Sequence, residues 1–298
     1  MNNASIALED TWVDVLQKAL RGQGLTEESL AKRTGLPLGD TRSLLSGKLA
    51  PDHLLAAAHV LGLWGDRLLS LARGQYHPGS IDLPEGMVML TSTWGEMLVH
   101  SYLAWDRTTR QAVAFDTGAD ASEMLNLIRD QQLKLGLILL THGHGDHLFD
   151  LDRIVEKTGA TAWIGEKENI PGVSVFAAGK DFVLGHMRIE TRSTHGHAPG
   201  GITYVIHGLE SPVAVVGDAL FAGSMGGPNV SYADCLRTNR KEILSLPPET
   251  ILGPGHGPLT SVGLERANNP FFPPSLEKAV LDHPPLLEEA PFPTKESR

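Results

Sequence analysis

Residues 141–147 read Thr-His-Gly-His-Gly-Asp-His, directly after Leu137-Ile138-Leu139-Leu140. The apolar run has the pattern of a buried strand. The polar run therefore falls in the loop at a strand's C-terminal end, where α/β folds place their chemistry. Packed together without a cation, three imidazoles and a carboxylate would repel when protonated and leave ring nitrogens unsatisfied when buried. Around a cation the same set is favourable, and imidazole and carboxylate suit zinc, iron or manganese. Gly143 and Gly145 are read as letting the backbone turn tightly so that alternate side chains converge.

Three more stretches place a ligand-type side chain on a glycine-rich turn beside an apolar strand. They are Thr194-His195-Gly196-His197-Ala198-Pro199-Gly200-Gly201, Gly217-Asp218 after Val213-Ala214-Val215-Val216, and Gly253-Pro254-Gly255-His256-Gly257. Short runs at 87–90, 112–115, 137–140, 161–164, 202–206 and 213–216 read as strands. Helical stretches near 121–134, 148–158 and 238–246 separate some of them, a mixed α/β pattern.

The ordered set HxHxDH, GHxPG, GD and GHG resembles the metallo-β-lactamase superfamily over residues 86–272. That resemblance implies an αββα sandwich with a two-metal site at one edge. It implies that His142, His144 and His197 hold one metal, that Asp146, His147 and His256 hold the other, and that Asp218 bridges them. It places Asp116, in Phe115-Asp116-Thr117-Gly118, in support behind the ligands. His195 stands where relatives often have proline and is read as a non-ligand. The stretches 217–227 and 253–272 are similar to the glyoxalase II-like (hydroxyacylglutathione hydrolase-like) branch. The expected activity is hydrolysis of a thioester or ester by a hydroxide held between two divalent metals, zinc first, iron or manganese as alternatives. Asp146 is the expected catalytic residue, orienting the nucleophile. Two other readings stay open. One is a mononuclear-iron enzyme resembling persulfide dioxygenases, using His142, His197 and Asp218. The other is a DNA-binding regulator whose metallo-hydrolase part senses a metabolite.

Residues 1–75 have a different texture, with helix-type apolar spacing punctuated at Gly22, Gly24, Gly35, Pro37, Gly47 and Pro51. Residues 25–63 resemble a Cro/C1-type helix-turn-helix, so the expected architecture is a small all-α bundle followed by the sandwich. The expected divisions are 1–75 for the helical domain, 76–85 for a linker, 86–272 for the hydrolase domain and 273–298 for a proline-rich tail. The helical part holds eight basic and eight acidic residues. Only Arg42 and Lys48 lie near the presumed recognition face, and DNA-binding surfaces are usually basic. Packing against the hydrolase domain, or a homodimer through the helices, is the favoured use of this part, with DNA binding the alternative.

The composition of the 298 residues sets outer limits. Hydrophobic residues make up 41% and charged residues 20%, a globular balance that argues against wholesale disorder. The net charge of −10 disfavours tight nonspecific binding to nucleic acid or membranes. The single cysteine, Cys235, rules out an intrachain disulfide and a multi-thiolate metal site. With no apparent secretory signal, the expected location is the cytoplasm, and the expected substrate is a small acyl thioester or ester.

Overall fold

The computed structural model describes residues 6–274. Five helices come first: α1 (Trp12–Gly22), α2 (Glu27–Thr34), α3 (Leu38–Leu45), α4 (Pro51–Val60) and α5 (Gly65–Ala72). Their ends follow local chemistry. Thr11 accepts from the Asp14 N–H while the Asp14 carboxylate accepts from the Thr11 N–H, so two N–H groups without helical partners are satisfied together. Thr26 and Ser29 do the same for α2, which ends on Gly35 at φ 75°. Pro51 occupies the first turn of α4, where its missing N–H costs nothing.

Two six-stranded sheets follow. The first contains β1 (Met87–Trp94), β2 (Met97–Trp105), β3 (Gln111–Phe115), β4 (Lys134–Leu139), β5 (Thr161–Gly165) and β6 (Ser174–Phe176), in that spatial order. The second contains β7 (Phe182–Leu184), β8 (Met187–Ser193), β9 (Ile202–His207), β10 (Val213–Gly217), β11 (Ile251–Pro254) and β12 (Thr260–Ser261), also in sequence order. β1, β2 and β3 pair antiparallel, whereas β3 through β6 run parallel. The remaining helices are α6 (Ser122–Asp130), α7 (Gly145–Leu148), α8 (Leu151–Thr158), α9 (Tyr232–Thr238) and α10 (Val262–Asn268), with a π-helical turn at Asn239–Ile243 after α9. The helix expected near 238–246 thus begins earlier, at Tyr232. β2 escaped the sequence reading because His100 and Ser101 interrupt its apolar run, yet both are buried.

Alternation along the strands builds three apolar layers. Val113, Phe115, Leu139, Tyr204, Val213 and Val215 meet between the sheets. Ala112, Ala114, Ile138 and Leu140 face α6 and α8 through Met124, Ile128 and Ile154. Val205, Ala214, Val216 and Leu252 face outward from the second sheet. The cluster they join includes Leu16, Leu30, Leu44, Leu54 and Leu68 of the N-terminal helices, together with Ile243 and Phe271. The architecture is an αββα sandwich whose second outer layer includes α1–α5.

Specific contacts fix that layer. Gly22 lies so close to the Tyr232 ring that a Cβ there would sit 2.5 Å from a ring carbon. The Trp64 N–H donates to Pro270 O at 2.8 Å. The Tyr76 hydroxyl donates to the buried Glu265 carboxylate at 2.7 Å. The apolar helix faces, for which a partner subunit was one expectation, are packed into the cluster on the second sheet. The proline-rich tail lies outside the described residues from position 275 onward. Among the described residues no helix is long and apolar enough to cross a membrane.

Candidate metal centre

One edge of the sandwich collects the loops that follow β3, β4, β8, β10 and β11. Asp116 comes from the first, His142, His144, Asp146 and His147 from the second, and His197, Asp218 and His256 from the other three. His142 Nε2 and His197 Nε2 lie 2.9 and 3.0 Å from His144 Nδ1. His256 Nε2 lies 3.2 Å and His147 Nε2 3.6 Å from Asp146 Oδ2. Asp218 stands between the two groups. Its Oδ2 is 3.4 Å from His197 Nε2 and 3.6 Å from His256 Nε2, and its Oδ1 is 3.2 Å from His147 Nε2. All seven expected ligand residues are therefore brought together, four in one group (His142, His144, His197, Asp218) and three in the other (Asp146, His147, His256).

The rings are aimed by what lies behind them. Asp116 Oδ1 accepts the Thr141 N–H at 2.7 Å, and its Oδ2 accepts the Thr141 hydroxyl and His147 Nδ1, each at 2.8 Å. Because Thr141 Oγ1 donates to Asp116, it accepts from His142 Nδ1 at 3.0 Å. His197 Nδ1 donates to Gly227 O at 2.7 Å and His256 Nδ1 to Leu98 O at 2.6 Å. In all four rings Nδ1 donates to an acceptor behind it, so Nε2 faces the site, the usual arrangement behind a ligating imidazole. Asp116 holds this position at φ 56°, a left-handed conformation that aspartate tolerates better than most residues.

A cation fits this donor set. His147 Nε2 and Asp218 Oδ1 are both buried and make no hydrogen bond, although an unpaired buried polar atom costs about 1–3 kcal/mol. Burial opposes a charge on Asp218, yet His147 beside it holds its carboxyl well below the usual range. Burial also drives His142 well below the usual imidazole range, so it stays neutral and able to donate its lone pair. Gly255 is required at its position, since a Cβ there would collide with Asp218 and His147.

The sequence reading of Gly143 and Gly145 needs correction. Neither has a positive φ. Gly143 instead leaves room for Glu168, whose Oε2 would be 2.8 Å from a Cβ there. His195 is outside the cluster, bonded through Nδ1 to Ser193 Oγ at 3.0 Å and facing Arg237 at 3.2 Å. Cys235 is buried, and burial beside Asp234 pushes its thiol up to about 12, so it has no nucleophilic character at neutral pH. Sequence reasoning missed the mouth of the site. Trp94 and Phe149 meet edge to face at 5.1 Å, and Met97 and Leu98 are exposed nearby on the β1–β2 hairpin. It also missed Glu9, whose backbone packs on Gly257. The aromatic pair had a faint signal in its position beside a strand end and the metal loop, whereas Glu9 had none.

Similarity to known proteins agrees with this geometry. The chain is 29% identical to the probable metallo-hydrolase YqgX of Bacillus subtilis, over 54% of this chain and 87% of that protein. It is 29% identical to the hydroxyacylglutathione hydrolase GloC of Haemophilus influenzae, over 57% of this chain and 90% of that protein. Its fold matches the crystal structure of the BLEG-1 B3 metallo-beta-lactamase with a TM-score of 0.56 and 27% identity, over 62% of this chain and 99% of that one. The family model for the metallo-beta-lactamase superfamily matches residues 94–256, from the mouth of the site to its last histidine. That span is more than half of the chain, and the protein belongs to the metallo-beta-lactamase superfamily.

Proposed function

We propose that this protein is a two-metal hydrolase of small acyl thioesters or esters, akin to the hydroxyacylglutathione hydrolases. The observation that carries the reading is the position of Asp218, between a three-histidine group and an Asp-His-His group, with one buried carboxylate oxygen that makes no hydrogen bond. In this reading His142, His144 and His197 hold one divalent cation, Asp146, His147 and His256 the other, and Asp218 both. Such a pair of cations supplies a Lewis acid for the carbonyl and a nucleophile from water at neutral pH. Asp146, buried beside His147 and His256, orients the attacking oxygen and takes its proton. Asp116 and Thr141 hold His147 and His142 in the ligating tautomer. The apolar hairpin and Phe149 receive the acyl chain.

Glutathione itself is weakly supported, because residues 223–236 contain no Lys or Arg to meet its carboxylates. Zinc is the favoured metal, because the donor set is nitrogen and oxygen and the reading needs no redox step. The intact Asp146, His147, His256 group favours two metals over the single iron of the dioxygenase reading. Metal analysis of the purified protein, with turnover of thioester, ester, lactone and β-lactam substrates, tests the proposal. One iron per chain with oxygen consumption would replace it with the dioxygenase reading. Turnover of lactones or β-lactams alone would remove the thioester half.

A further inference from the structure

The segment preceding α1 runs beside the loop that carries His256 and is tied down along its length. Ile6 O accepts from His77 Nε2 at 2.9 Å. Asp10 is ion-paired to Lys18 and accepts from Ser224 Oγ at 2.5 Å. Lys18 in turn donates to Met225 O at 2.8 Å and lies over the Phe221 ring, which packs edge-on against His256. Between these anchors, the backbone of Glu9 touches Gly257, the residue after His256.

The charges here do not cancel. Asp10 and Lys18 neutralise each other. Asp146 and Asp218 belong to the metal-type groups. Glu9 is half-buried, and among the described residues no hydrogen bond acts on its carboxylate. Burial raises its carboxyl above the usual range, and His256, Asp10, Lys18 and Asp218 are all close enough for their charges to act on it. A half-buried carboxylate without a partner at the edge of a binding cleft is stabilised by a cation and opposes an anion.

We propose that Glu9 is a specificity-determining residue, and that it selects substrates whose group beside the scissile carbonyl is cationic or neutral over those carrying a carboxylate there. The helical layer thereby contributes a side chain to the cleft as well as covering the second sheet. This inference rests on the hydrolase reading above for its substrate class, but not for the charge preference.

The test uses the full-length, metal-loaded protein and three acetyl thioesters that differ in the thiol's charge: acetylthiocholine, S-acetyl-3-mercaptopropionate and the methyl ester of the latter. Glu9→Gln is expected to lower the cation-to-anion ratio of kcat/KM about tenfold, leave the neutral thioester within about twofold, and lose its effect as salt rises from about 0.05 to about 0.5 M. Glu9→Lys should invert the order. An equal change on all three substrates, or an unchanged ratio, overturns the proposal. If the wild-type protein hydrolyses none of them, the thioester half of the hydrolase reading fails. Calorimetric binding of thiocholine and 3-mercaptopropionate then decides the role of Glu9, an approximately tenfold change in their ratio supporting it and an unchanged ratio overturning it.

Discussion

The metal-bearing edge and the helical layer behind the second sheet are held by different physics. At the edge, partners are specific. Asp116 serves Thr141 and His147, Thr141 serves His142, and Gly227 and Leu98 carbonyls hold His197 and His256. Moving one group leaves another buried and unpaired. In the layer, Leu16, Leu30, Leu54 and Leu68 meet apolar surface, and apolar attraction has no direction. The edge should therefore fail abruptly when one atom changes, and the layer should weaken in proportion to the area lost.

The largest expected effect is at the edge. Asp218→Ala should reduce metal content at both positions and lower turnover by about 10³-fold or more, with the fold retained. Metal analysis of this variant beside His142→Ala and His256→Ala, each expected to lose mainly one ion, checks the assignment. Full metal loading in Asp218→Ala would break the contrast.

In the layer, Leu16→Ala should destabilise the protein by about 2–5 kcal/mol. Metal stoichiometry in the folded fraction should not change. Denaturant unfolding combined with metal analysis measures both quantities, and loss of metal in parallel with stability would mean that the two regions form one unit.

His100 sharpens the contrast through pH. Burial lowers its pKa to about 4, although Nε2 donates to Gly257 O at 2.8 Å and Nδ1 accepts from Thr91 Oγ1 at 3.0 Å. The folded state thus prefers the neutral ring. The contribution is present above the unfolded pKa of about 6.5 and is lost as pH falls toward 4, an effect of about 2–4 kcal/mol across that window. Unfolding free energies of wild type and His100→Gln at several pH values should converge as the pH drops. A constant difference between them would remove the assignment.

The smallest effect expected concerns DNA. Arg42, at the outer face of α3, is paired with Glu27 at 2.9 Å and Glu28 at 3.1 Å. With that cation engaged, binding to random duplex should be no tighter than about 10⁻⁴–10⁻⁶ M at physiological salt. A binding titration across salt concentrations measures this, and tight, steeply salt-dependent binding would assign the layer a second role.

Much of this molecule follows from short stretches of sequence. Limits of α1–α4 lie near Thr11, Thr26, Gly35, Pro37 and Pro51, because capping and backbone freedom act over three or four residues. The seven metal-type residues stand in four local motifs, because each motif needs its own strand end and turn. Tertiary structure decided what those signals could not carry. It brought the motifs to one edge, and it buried His100 and Ser101 inside β2. It laid the N-terminal helices on the second sheet, and it set Glu9 beside His256, almost 250 residues away in the chain. Apolar surfaces carry no address, and a lone carboxylate has no pattern. Their partners are chosen only when the sheets have closed and the remaining surface can be covered in one way.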